Sequence, residues 1–225
     1  MHRQPVLMGF LGALLAASPL WAATPDGGLQ ADAGAKPDAG NAAINSAIDR
    51  PFTAGDESSP VKIVLYGCCR CPVCAGLVPE LYAEVTSGRL KSKAYLILHL
   101  VLKPERPGSV EGGTAAMAVA RQNRLWPFML RVFQDQDSYF NGFETKTAME
   151  TGVDMDAYGM AKDDPQFKKM LLELIEVSKD IKKTPLVIIN GKQYEGIKSA
   201  SEAVEKAIEE YRRIGGKRTA DDQSR

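Results

Sequence analysis

All four cysteines of the chain fall within seven residues, in the run Tyr66-Gly67-Cys68-Cys69-Arg70-Cys71-Pro72-Val73-Cys74. Sulfurs this close in sequence cannot staple distant parts of a fold, so they point to local chemistry. An apolar, largely β-branched run, Val61 to Tyr66, precedes them and predicts a strand. Leu77, Val78, Leu81, Tyr82 and Val85 follow at helical spacing. Pro72 suits the first position of that helix, where a missing N–H costs nothing. Pro79 is expected to kink the helix and Ser87-Gly88 to end it. The pattern is therefore strand, short loop and helix, with Cys71-Pro72-Val73-Cys74 at the helix N-terminus.

That placement has a chemical meaning. The first turn of a helix presents unpaired N–H groups and the positive end of the dipole, and both favour a thiolate. Such settings lower a cysteine pKa from about 8.5 into the range of roughly 3.5–7.5. Cys71 is thus the expected exposed nucleophile. Cys74, one turn on, is close enough to form a disulfide with it and is the resolving thiol. Arg70 either adds positive charge beside Cys71 or is a solvated loop residue.

The rest of the chain reads as a frame for those sulfurs. Ala94 to Leu102 is apolar almost without a break, as in a central parallel strand covered on both faces, and Pro104 and Pro107 close it. Helical patterns then cover Thr114–Arg124, Trp126–Gln134, Thr145–Gly152 and Met155–Met160. A further helix is capped by Asp164, with Pro165 at its first position. Residues 111–180 therefore read as an all-helical insertion within an α/β domain spanning 53–216. Thr184-Pro185 opens a strand, Pro185–Ile189, and Asn190-Gly191 predicts a hairpin to an edge strand, Lys192–Glu195. Ser199 and Glu202 form a capping box for a last helix that Gly215-Gly216 ends. Residues 217–225 make a polar tail. Trp126 and Phe133 are core residues of the insertion by spacing, and His99 is a packed residue in mid-strand.

The N-terminus carries an address. Arg3 is followed by Val6 to Leu20, apolar apart from Ser18, and by the small residues Ala22 and Ala23. Residues 1–23 read as a secretory signal peptide. The apolar run is shorter than the ~20 residues of a spanning helix; an N-terminal membrane anchor is the alternative. Residues 24–52, rich in Ala, Gly, Asp and Pro, read as a flexible linker. A periplasmic or secreted location follows, in which thiols pair or do redox work. The balance of 28 Lys+Arg against 28 Asp+Glu gives no support for a nucleic-acid partner.

Three stretches together resemble the thioredoxin-fold family, and within it the DsbA-like branch. They are Gly55-Asp56-Glu57-Ser58-Ser59-Pro60-Val61-Lys62-Ile63, Cys71-Pro72-Val73-Cys74 and Thr184-Pro185-Leu186-Val187-Ile188-Ile189-Asn190-Gly191-Lys192. Their order and the helical insertion between them match as well. The resemblance implies a thioredoxin fold, a mixed sheet flanked by helices with a helical insertion. It implies thiol–disulfide exchange on protein thiols or disulfides outside the cytoplasm, with a membrane redox partner for recycling and no bound cofactor. It places Cys71 and Cys74 as the catalytic pair, Thr184 and a cis-Pro185 opposite them, and Pro72 and Val73 beside them at the substrate. A monomer is expected. The direction, as oxidase, reductase or isomerase, stays open.

Two features depart from the pattern. Strongly oxidising members carry histidine where this chain has Val73, so a less oxidising protein is expected. Cys68 and Cys69 are not a family feature. They are either small packed thiols or a second redox pair able to exchange with Cys71 and Cys74. A different class of reading makes the cluster a soft-metal site, with Cys68, Cys71 and Cys74 as ligands and Cys69 as a poorly placed fourth. The cis-proline expected opposite the pair favours exchange over metal carriage.

Overall fold

The computed structural model describes residues 52–136 and 142–216. The expected signal peptide, the linker up to residue 51 and the polar tail lie outside the described residues. Five strands make one mixed sheet: β1 (Thr53–Gly55), β2 (Val61–Gly67), β3 (Ala94–Leu100), β4 (Leu186–Ile189) and β5 (Lys192–Tyr194). Their order is β1-β3-β2-β4-β5. The central pair, β2 and β3, is parallel, with Val61 opposite Ala94 and Gly67 opposite Leu100. The other three pairings are antiparallel. A parallel pair is covered on both faces, and so β2 and β3 are nearly continuous apolar runs.

Helix α1 (Pro72–Thr86) connects β2 to β3. Five helices separate β3 from β4: α2 (Ser109–Ala120), α3 (Leu125–Gln134), α4 (Phe143–Glu150), α5 (Met155–Asp163) and α6 (Pro165–Ser178). Helix α7 (Ala200–Arg213) follows the β4–β5 hairpin. Along α1, Cys74, Leu77, Val78, Leu81 and Val85 are buried, the spacing of one helix face. Each large apolar side chain among them contributes about 1.5–3 kcal/mol through burial. Helix α7 adds Ala203, Val204, Ala207 and Ile208 to the same core and packs against α1.

The expected elements are present, with shifted ends. Helix α1 continues through Pro79 to Thr86. β3 ends at Leu100, yet the next residues are still bonded: Val101 N–H donates to Gly67 O at 2.8 Å and Leu102 N–H to Ser178 Oγ at 2.9 Å. Helix α2 begins at Ser109 rather than Thr114 and includes Gly112 and Gly113. Glycine is a weak helix former. In space both are needed, because a Cβ on Gly113 would lie 2.7 Å from Leu102 Cδ1 and one on Gly112 would lie 2.4 Å from Cys69 Sγ. Phe52, at the end of the expected linker, is buried, and its carbonyl accepts from Leu98 N–H at 2.8 Å. Asn190 and Gly191 both have positive φ, 45° and 83°, as a two-residue hairpin requires. Ser199 caps α7 by accepting from Glu202 N–H, while Glu202 reaches back to Lys198 N–H.

Candidate active site

The cysteine loop leaves the carboxyl end of β2, in the middle of the sheet. Cys71 is the N-cap of α1, with extended backbone angles of φ −94° and ψ 117°, and Pro72 is the first helical residue. A tight turn precedes it, in which Cys71 N–H donates to Cys68 O at 3.0 Å. All four cysteines are free thiols, and all four are buried. Cys71 was expected to be exposed; it is only 4% exposed. Thr184 is one reason, since Cys71 Sγ donates to Thr184 O at 3.3 Å. Pro72 stands exposed at the rim and Val73 is half-buried beside it.

The two sulfurs of the pair are differentiated by their surroundings. Cys71 is pulled down to about 5, mainly by the hydrogen bond that Cys74 gives it. The Thr184 hydroxyl and the N–H groups of Cys74 and Val73 act in the same sense and outweigh the cost of burial. Cys74 is pushed far above the ordinary thiol range, first because it donates to Cys71, then by burial and by the Cys71 charge. The contact to the Thr184 carbonyl is available only to the protonated Cys71. On ionisation the sulfur turns from donor to acceptor, and the Thr184 hydroxyl becomes its partner. Thr184 and Pro185, joined by a cis peptide bond, are half-buried at this position.

Behind the pair, Cys68 and Cys69 sit against the start of α2. Ser109 Oγ lies 3.2 Å from Cys68 Sγ, and Arg70 N–H points at the same sulfur from 3.5 Å. Cys69 Sγ donates to the carbonyls of Gly108 and Ser109, at 3.7 and 3.6 Å. The alternative metal set of Cys68, Cys71 and Cys74 finds its sulfurs bonded otherwise, Cys68 Sγ to Ser109 Oγ and Cys71 to Cys74. Among the described residues, no group of three or more His, Cys, Asp or Glu side chains is placed to hold a metal. His99 is buried in β3 and stacks on Tyr66, centroid to centroid 4.6 Å. Trp126 packs on Tyr82 and donates to Thr53 O at 2.5 Å, a core contact.

The sequence did not single out Gln136, at the end of α3. Its buried amide Nε2 donates to Cys69 O at 2.7 Å and to Cys71 O at 3.3 Å. Arg70 Nη1 in turn donates to Gln136 O at 2.8 Å. Half-buried Arg70 thus ties the loop to the helical block. Gln136→Ala leaves the Cys69 carbonyl without this donor. The expected cost is about 1–3 kcal/mol, and Gln136→Glu, which offers no donor, is expected to cost more. Denaturant unfolding of the reduced proteins measures both.

Comparison with known proteins fits this geometry. A family model described as Thioredoxin matches residues 48–210. The chain belongs to the thioredoxin family. Its fold is shared by solved DsbA-like structures at low identity. BdbD of Bacillus subtilis, in its oxidised form, is 17% identical, with a TM-score of 0.60 over 75% of this chain and 95% of that one. ScsC of Proteus mirabilis, in a transitional conformation, is 17% identical, with a TM-score of 0.59 over 76% of each chain. The thiol–disulfide exchange protein alpha-DsbA2 of Wolbachia pipientis is 17% identical, with a TM-score of 0.59 over 76% and 95%. Among curated sequences, the chain is 24% identical over 157 residues to the Na(+)/H(+) antiporter NhaA 1 of Mycolicibacterium gilvum. That match takes in 66% of this chain but only 24% of the antiporter, so the chain spans about a quarter of the length of such relatives.

Proposed function

We propose that the protein is an exported disulfide donor, in which Cys71 carries the exchange and Cys74 completes it. The observation behind this is the opposite setting of the two sulfurs. Cys71 is surrounded by hydrogen-bond donors at the start of α1, and Cys74 is buried and held as a thiol. A client thiolate attacks Cys71 of the Cys71–Cys74 disulfide, and Cys74 leaves. A second client thiolate attacks the client sulfur of the mixed disulfide, and Cys71 leaves as a thiolate. The client gains a disulfide and the protein is left with two thiols. Stabilising the Cys71 thiolate favours the reduced protein and so makes its disulfide a better oxidant. A pKa lowered from 9.0 to about 5 favours the reduced state by at most about a hundredfold at pH 7, or about 60 mV for two electrons. The Val73 side chain adds neither a donor nor a charge, which moderates the potential.

Thr184 and Pro185 line the approach to Cys71, with Pro72 and Val73 on the other side. An extended client strand that passes here meets the Thr184 backbone, a mode of peptide capture by main-chain pairing. The reading includes a signal peptide over residues 1–23, a periplasmic or secreted location, a membrane oxidant that restores the disulfide, and a monomer at work. Among the described residues no helix is long and apolar enough to cross a membrane.

Equilibration with reduced and oxidised glutathione at pH 7, followed by acid trapping of free thiols, tests the direction. A midpoint between about −200 and −120 mV is expected for a moderated oxidant. A midpoint near −270 mV, in the range of a reductant, overturns the donor reading.

A further inference from the structure

Cys68 and Cys69 repeat, at a second helix, the arrangement found at the first. Cys71 is placed at the N-terminus of α1 and Cys68 at the N-terminus of α2, where N–H groups and the helix dipole favour a thiolate. The donors around Cys68 are specific. Lys103 N–H donates to Ser109 Oγ at 2.8 Å, and the same hydroxyl lies 3.2 Å from Cys68 Sγ, to which it donates when that sulfur is ionised. Arg70 N–H is the second donor. Cys69 has the opposite surroundings: its sulfur meets two carbonyl oxygens, and its thiol must keep its proton to bond them. One sulfur is set up to be a thiolate and its neighbour to remain a thiol. The titration behaviour agrees. Cys68 is lowered to about 6, chiefly by the hydrogen bond from Cys69, and Cys69 is raised, first by that same bond and then by burial. A merely space-filling thiol has no use for two donors.

The third relevant contact is to the catalytic pair. The Cys68 backbone N–H bonds to the Cys74 sulfur. A Cβ built on Gly67 would lie 3.7 Å from Cys74 Sγ. The Cys74 sulfur therefore packs on the Gly67-Cys68 backbone, beside the residue that carries the Cys68 thiol. Cys68 is fully buried, at 0% exposure, so a client has no path to it. The disulfide within reach is the protein's own.

We propose that Cys68 is a third exchange thiol, which attacks Cys74 in the oxidised protein and moves the disulfide inward to Cys68–Cys74. The step rests on the Cys71–Cys74 exchange proposed above. The Cys68–Cys74 bond forms, the Cys71–Cys74 bond breaks, and Cys71 leaves as a thiolate. No electrons are gained or lost, and Cys69 keeps its proton. Cys71 is the better leaving group, since the more acidic thiol leaves faster. The product is an oxidised protein whose nucleophile is free. Such a molecule can attack a wrongly paired client disulfide and release it to one of the client's own thiols, which is disulfide shuffling.

The sequence provides a direct readout. Trypsin cuts after Lys62, Arg70 and Arg89, so Cys68 and Cys69 fall in peptide 63–70 and Cys71 and Cys74 in peptide 71–89. Protein oxidised with one equivalent of glutathione disulfide is quenched in acid, alkylated, and digested. The expected result is a linked 63–70/71–89 pair, carrying the alkyl group on Cys71, that is absent from the reduced protein. The linked pair is lost in Cys68→Ser and retained in Cys69→Ser. A doubly alkylated 63–70 peptide in every sample, beside an internally bridged 71–89 peptide, overturns the proposal and leaves the Cys71–Cys74 exchange standing. A 71–89 peptide that never carries a disulfide overturns both.

Discussion

Cys71→Ser lowers the rate of thiol–disulfide exchange by at least about a thousandfold, because the sulfur it removes is the one that attacks and is attacked. The loss is chemical rather than structural. Cys71 is the N-cap of α1, and its sulfur is a weak acceptor facing the Val73 and Cys74 N–H groups. Serine is among the best residues for that position, so the variant keeps the helix start or improves it. Unfolding by denaturant is therefore expected to change little while exchange disappears. An unfolded Cys71→Ser protein, or one that retains more than about a tenth of the exchange rate, contradicts the assignment. Removal of a core residue such as Phe128, which is fully buried, shows the reverse pattern: about 3–5 kcal/mol of stability lost and the chemistry of the folded fraction retained.

The second large effect is in pH. An ordinary thiol with a pKa near 9 loses thiolate about tenfold for each pH unit below it, so its alkylation slows about a hundredfold between pH 8 and pH 6. Cys71, held at about 5, is already a thiolate across that interval. Its alkylation by iodoacetamide is expected to stay level from pH 8 to pH 6 and to fall only as pH drops through about 5. The sign follows from the direction of the shift: a lowered pKa extends the reactive form toward acid. Lower basicity also weakens each thiolate as a nucleophile, with a Brønsted slope of about 0.4–0.5. That factor is the same at every pH and leaves the profile's shape intact. A tenfold decline per unit beginning near pH 8 would show that Cys71 is an ordinary thiol, and that the α1 terminus, Cys74 and Thr184 do not tune it.

What the sequence made legible follows from how local each cause is. The start of α1 was legible because Pro72 and the spacing of Leu77, Val78, Leu81 and Val85 act within a few residues. The hairpin at Asn190-Gly191 was legible for the same reason. The meeting of Cys71 with Thr184 spans 113 positions and came only through the resemblance of three motifs taken together. Gln136 had no local signature, since a polar residue at a helix end is ordinary until the two carbonyls it serves are folded against it. Gly112-Gly113 was a signal that went unused. Two glycines inside a helical pattern mark a close approach, and here the approach is by Cys69 and Leu102. The shallow burial expected of Cys71 failed because α3's end and the Thr184 segment cover a loop that looks open in sequence.

The central claim is that Cys71 attacks and Cys74 resolves. The most direct measurement uses Cys74→Ser, which permits the first step and removes the second. Reduced Cys74→Ser protein is mixed with a disulfide-bonded client, quenched in acid, alkylated and digested with trypsin. A client peptide joined to residues 71–89 through Cys71, accumulating to nearly one per molecule and released by dithiothreitol, is the predicted result. A client joined to residues 63–70, or no covalent complex at all, would contradict it.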